Sequence, residues 1–441
     1  MTTFVISTTA THRMLFPRLI HWQAEGLRLY RQPIAWWALA ALLLVLLASA
    51  TVAGLDARTW RQAEAEDRTA YADKLHAQQL RLQASPAPSA ASATATYQLG
   101  RSDLGLTRMP VEAGLALGVQ RLQVLPSRIK ASLDTRHVDS RDPGPLRNPL
   151  LTDTGLPGLP AMVALLLPLV ALVLCAGLLQ EEREQGRLGL LRVQSRYGIG
   201  PILLAALGWR LLALWMVAVA ATLPALLLDP GATAAVALQW AGALGAFCAL
   251  WVALGGILSV LPVSGATSIL AALGLWLALT FAVPAGLVLL AQKNAPLPSR
   301  LSAVVTLRDA QHQAEDNEQA LAEAWYDEHP HIPAQHPAVW PASFVVRVLD
   351  QDETLQPLVE KFRQSRALQA QQVSAWSWLS PGLALVLYGE RLAGTDVDSH
   401  MRYQQQVDAF EQRWRAFLVP RVMSKQGMRA EELRRLPRFE E

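Results

Sequence analysis

The chain has 441 residues, 52% of them hydrophobic and only 17% charged, where an average soluble domain carries about 25% charged residues. With a mean hydropathy of +0.21, this balance excludes an ordinary water-soluble globule. The net charge of +3 does not signal nucleic acid, because the basic residues flank apolar runs and do not cluster on one face.

Residues 1–33 carry Arg13, Arg18, Arg28 and Arg31 against a single Glu25, which places this end in the cytoplasm by the positive-inside rule. Leu19, Trp22, Leu27 and Tyr30 stand beside these bases, so the segment reads as a helix lying in the membrane interface until Pro33 turns the chain; a disordered cationic tail is the other reading. Residues 34–54 form the first apolar run, too long for the core of a cleavable signal peptide. Residues 55–158 follow outside. Their Ala-, Glu-, Gln- and Arg-rich start continues the helix, 84–96 is a low-complexity segment expected to be a flexible linker, and 97–158 is a loop-rich patch.

Four more runs, 159–179, 208–228, 234–258 and 266–291, each supply the roughly twenty apolar residues that a hydrocarbon core of about 30 Å requires. The stretch 180–207 between the second and third runs carries Arg183, Arg187, Arg192 and Arg196 and belongs inside. Counting spans then places 292–441 outside as a C-terminal domain. Within it, residues around 376–389 make an apolar run too short to cross and broken by Pro381, expected to lie against the membrane or pack in the domain. Beyond Thr395 or Asp396 as N-cap, a helix is marked by Val397, Met401, Val407, Phe410, Trp414 and Phe417. The fold expected is an all-α polytopic membrane protein with five transmembrane helices and two mainly helical extracytoplasmic regions.

Chemistry is sparse. There is no phosphate-binding G-x-x-x-x-G-K-[ST] loop, H-E-x-x-H, C-x-x-C or G-x-S-x-G, so the chain reads as a non-enzyme. Cys175 and Cys248 lie inside spans as small packing residues. His329, His331 and His336 are candidate metal ligands by residue type, with exposed loop histidines as the alternative. The spans contain no Asp, Glu, Lys or His, which leaves no proton relay or coupling-ion site within them. Arg210 is expected at the inner interface, snorkelling toward water.

The most informative stretch is "LLQEEREQGRLGLLRVQSR", 178–196. On a helix, Leu188 and Leu191, with Val193 or Tyr197, can bury against a partner while Glu181, Glu182 and Glu184 favour the helix N-terminus. A short amphipathic helix of this kind between two spans is suited to the groove of a soluble motor; an inert solvated connector is the other reading.

Three stretches resemble ABC-2-type transporter permeases, specifically a subgroup with two extracytoplasmic insertions. They are Asn148-Pro149 with Leu167-Pro168-Leu169 and the run Glu182 to Leu191, the 25–60 segment, and Ser380-Pro381 with Ala393-Gly394-Thr395-Asp396. The resemblance implies a permease subunit of an exporter in a bacterial inner membrane. Its ATPase-coupling site would comprise Glu181, Glu182, Glu184, Gly186, Leu188, Leu190 and Leu191. No cofactor is expected in this chain, since ATP and magnesium would sit on a separate ATPase subunit. A second permease copy, membrane lipid and a periplasmic protein are the other partners implied. Arg187 stands where the family usually has Thr, and five spans are expected where it usually has six, which leaves the C-terminus outside. A non-transporting inner-membrane scaffold is the alternative.

Overall fold

Apolar stretches of this length satisfy their backbone in hydrocarbon by forming helices, and the computed structural model, which describes residues 16–84, 89–134, 158–194 and 198–439, contains five helical segments long and apolar enough to span a membrane. An interfacial helix, α1 (Phe16–Tyr30), leads into α2 (Pro33–Ala84), a 52-residue helix whose first part is the first span. The second span is α4 (Leu159–Cys175) with its extension α5 (Leu178–Glu184), and a short helix α6 (Arg187–Gln194) follows. The third and fourth spans are α7 (Gly200–Leu228) and α8 (Ala234–Val260). The fifth is α9 (Gly265–Leu277) joined through a π turn (Ala278–Ala282) to α10 (Val283–Asn294).

Small residues let these helices approach closely, as they must where hydrocarbon solvent offers no hydrophobic drive between helices. On α2 the buried positions Ala35, Leu39, Leu42, Leu46, Ala50, Ala53 and Ala57 recur at helical spacing, and a Cβ on Gly54 would lie 2.9 Å from the Ala225 carbonyl oxygen of α7. Cys175 and Cys248 are buried in the same bundle as free thiols. The fifth span differs: none of its most apolar window is buried in the chain, whereas the other four bury a third or more.

Side-chain contacts sort the connections onto two faces. On one face, the N-side, the Arg28 guanidinium meets Glu182 at 2.5 Å and Glu184 accepts from the Gly265 amide. On the other face, the domain side, Arg61 of α2 pairs with buried Asp229 at 2.5 Å in the α7–α8 turn and donates to the Glu112 carbonyl.

On the domain side the two long regions share one core. Helix α3 (Ala90–Gly100) is capped by the Ser89 hydroxyl, and β1 (Leu106–Arg108) pairs antiparallel with β2 (Arg128–Lys130), Thr107 opposite Ile129. The second region adds α11 (Arg300–Asp316), α12 (Glu318–Glu328), α13 (Ala342–Ala375), α14 (Pro381–Ala393) and α15 (Val397–Met423). Leu82, Tyr97, Leu99 and Leu133 from the first region pack with Val345, Val346, Phe410, Trp414 and Leu418 from the second. The expected flexible linker at 84–96 is corrected from Ser89 onward, since α3 is ordered and largely buried. Its Ala, Ser and Thr side chains, which suggested flexibility, are the small residues that permit close packing: Ser92 donates to the Gln426 carbonyl, and Gly427, at φ +64°, has room for no side chain there. On α15 the buried stripe runs through Val407, Phe410 and Trp414 as expected and adds His400, Tyr403, Arg415 and Leu418.

The apolar run at 376–389 packs against the spans. A Cβ on Gly382 would touch Ala164 of α4, and one on Gly389 would touch Pro160 and Trp240 at the domain-side ends of α4 and α8. Helix α13 descends beside α10, with Gln369 donating to the Ala295 carbonyl, and the chain turns through Trp376–Ser380 before α14 climbs back.

Candidate functional site: the N-side segment between the second and third spans

Three glycines in the left-handed region articulate this segment: Gly177 at φ +95°, Gly186 at +68° and Gly198 at +74°. Only glycine takes these angles without a Cβ clash, so α4, α5 and α6 are separate rods in one continuous apolar-to-amphipathic sequence. Gly186 follows the end of α5, its amide returning to the Arg183 carbonyl.

Helix α5 is bound to the protein on both sides. Gln180, fully buried, donates to the Leu258 carbonyl at 2.8 Å, and Arg183 donates to that of Leu261. These carbonyls end α8, where the last turn of a helix lacks internal donors. Glu184 accepts from the Gly265 amide at 2.8 Å and so caps the start of α9, where the helix dipole favours a negative charge. Glu182 is buried beside Arg28 at 2.5 Å and Arg187 at 3.6 Å. Arg28 also faces Glu25 at 3.8 Å.

Helix α1 is itself locked to α7. The Trp209 indole donates to the Trp22 carbonyl at 2.7 Å and the two rings lie 5.3 Å apart. Gly26 and Gly208 make the room: a Cβ on either would fall within 3 Å of the opposing tryptophan. Next to this contact Arg210 is buried at 1% exposure, with hydrogen bonds to the carbonyls of Leu174 (2.8 Å) and Ala206 (3.0 Å). The expected snorkelling is therefore corrected. The Gly177 break leaves Leu174 at the C-terminal end of α4, and a cation that satisfies its carbonyl also suits the dipole there.

The anticipated coupling residues thus divide. Glu182 and Glu184 serve internal contacts, and Gly186 shapes the backbone. Glu181 is exposed beside Gln185. Leu188 is half-buried, while Leu190 is 62% and Val193 87% exposed on α6, three positions apart and so on one helix face. The side chain of Leu191, together with Tyr197 and the Asn148-Pro149 pair, lies outside the described residues. Sequence reading missed Gln180, Glu25 and the inward role of Arg210; the only signal was a charged pair, Glu25 and Arg28, at i,i+3 on an interfacial helix.

The three histidines do not form a ligand set. His329 stacks on Trp325 with ring centroids 4.1 Å apart, His331 lies 6.1 Å from His329 centroid to centroid, and His336 faces Glu323 at 4.0 Å. Among the described residues no group of three or more His, Cys, Asp or Glu side chains is placed to hold a metal ion.

Residues 300–441 match the family model of a domain of unknown function, DUF3526. The match begins at α11 and covers the C-terminal part of the shared domain without the portion supplied by 89–134. No curated protein and no solved structure matches the chain.

Proposed function

We propose that this chain is the membrane subunit of an ATP-driven exporter in a bacterial inner membrane, with the N-side facing the cytoplasm and a separate ATPase docking on α5–α6. The observation that carries this reading is a braced amphipathic segment between two spans, tied to α1, α8 and α9, that turns Leu190 and Val193 outward. A force applied at α6 is passed through Glu182 to the interfacial helix and through Glu184 to the fifth span. An inert connector would need neither the bracing nor the exposed apolar pair.

Spans without Asp, Glu, Lys or His suit an amphiphilic cargo moved with energy from elsewhere. The unburied fifth span is where a second permease copy, identical or related, would complete a pathway. ATP and magnesium would belong to the partner ATPase. The second reading, a non-transporting scaffold, draws on the large domain-side unit assembled from two separate insertions, a surface suited to a periplasmic partner.

The test is co-expression of the chain with an ABC ATPase subunit from the same cell, co-purification, and ATPase assay in lipid nanodiscs. Leu190→Asp and Val193→Asp place charges in the proposed apolar contact; both side chains are exposed, so folding should persist while co-purification and stimulated hydrolysis fall at least tenfold. Unchanged association of both variants would remove α6 from the interface, and loss of the ATPase without effect on the chain's role in cells would favour the scaffold. A reporter fused after Glu441 should read periplasmic.

A further inference from the structure

The fifth span carries a defect in its hydrogen-bond ladder at a place where another part of the chain touches it. In the π turn the Val283 amide reaches the Ala278 carbonyl, five residues back. Continued by one residue, that register assigns the Leu279 carbonyl to the amide of residue 284, which is proline and has no N–H. An orphaned carbonyl at this depth is costly, because hydrocarbon offers no donor. Leu279 is the fifteenth of the thirty residues in the span.

The donor comes from the C-terminal domain. The Ser380 hydroxyl, fully buried, lies 2.7 Å from the Leu279 carbonyl oxygen. The Ser380 hydroxyl oxygen in turn accepts from the Leu383 amide at 3.3 Å and so caps α14. Ser380 stands at the tip of the α13–α14 hairpin, between Trp378, which is exposed, and Pro381, which opens α14. One hydroxyl therefore fills two vacancies, the missing donor inside the span and the missing acceptor at the helix start.

We propose that Ser380 is a latch that holds the break in the fifth span and makes the span and the α13–α14 hairpin one mechanical unit, so that displacement of the span carries the hairpin with it. This holds whether or not the chain is an exporter. Among the described residues its other hydrogen bonds to the fifth span and the loop after it lie at the end of α10, through Gln369 with Ala295, Gln372 with Asn294 and Ser365 with Pro296; Ser380 is its hold on the middle of that span.

A double-mutant cycle on the full chain in nanodiscs separates the latch from the cap. Ser380→Ala should lower Tm by about 3–8 °C, the range for a buried polar group left unsatisfied. Pro284→Ala restores an amide that can serve Leu279, so in its presence Ser380→Ala should cost only the cap, at most half that shift. If Ser380→Ala alone does not fold, Pro284→Ala should rescue it. Equal shifts in both backgrounds, or no rescue, would overturn the latch. Spin labels at positions 270 and 378, with Cys175 and Cys248 replaced by alanine, read the mechanical claim: a single narrow distance distribution with Ser380 and a clearly broader one with Ser380→Ala. An unchanged width would refute the coupling.

Discussion

Replacing Arg415 by alanine should loosen the domain-side unit at the seam between its two regions. The guanidinium meets Asp352 at 2.6 Å and Glu411 at 3.1 Å and donates to the carbonyls of Ser132 (3.2 Å) and Asp134 (2.9 Å). Arg415, Asp352 and Glu411 are all buried. Removing the cation takes a close ionic partner from two buried carboxylates in low dielectric, a change of the kind that costs about 3–5 kcal/mol; the two carbonyls lose donors as well, and because all belong to one network the losses do not add. For a unit of about 150–250 residues this corresponds to a Tm lowered by roughly 6–20 °C. Hydrogen exchange of the full chain in nanodiscs is the direct assay. Amides of 129–134 should exchange markedly faster in Arg415→Ala, because this side chain supplies the hydrogen bonds that hold the Ser132 and Asp134 carbonyls to α15. Arg415→Lys, keeping the charge but not the planar fork, should fall between. A loss under about 1 kcal/mol, or exchange spread evenly over the domain, would refute the idea that the cluster fastens the two regions together.

Burial, reinforced by Arg121 and Arg366, pushes the His400 imidazole down to about 4 from an ordinary 6.5. The unfolded chain therefore takes up this proton first as pH falls, so the contribution is intact above about pH 6.5 and is lost down to about pH 4, up to roughly 3 kcal/mol; His400→Gln should flatten urea midpoints over that interval. Arg61→Ala strands Asp229, whose side chain is fully buried, and should cost about 3 kcal/mol, while the paired change with Asp229→Asn should recover most of it in thermal unfolding. Arg210→Met removes the donor to Leu174 and should lower Tm by several degrees without detaching α1, measured as unchanged quenching of the Trp22–Trp209 pair; loss of that signature would mean Arg210 positions α1.

The spans were legible because a bilayer imposes one rule, some twenty apolar residues in helical form, and α4, α7 and α8 follow it. What escaped the sequence was tertiary. The composition of 84–96 describes equally a flexible tether and a close-packed Ala/Ser helix, and only the partner at Gly427 decides between them. The π turn could not be read from Pro284 alone, since proline near the middle of a span is compatible with several local geometries. In the N-side segment, residue type located the stretch but not the direction of each side chain. Glu182 and Glu184 look like a docking surface until Arg28 and the Gly265 amide, far away in sequence, are seen to occupy them.

Helix α2 passes from the interfacial helix to the domain core, where Leu82 is buried, without a break. At 1.5 Å per residue its 52 residues make a rod of about 78 Å. A tilt of about 5° pivoted at Pro33 would sweep the Leu82 end through about 7 Å, a geometric gain that needs no hinge and no relay of side chains. Asp67 ties the rod to Arg108 and Arg128 of the β1–β2 pair, so the sweep would be delivered to the domain, and a small rotation in the bilayer would be read out there as a displacement of more than half a helix diameter.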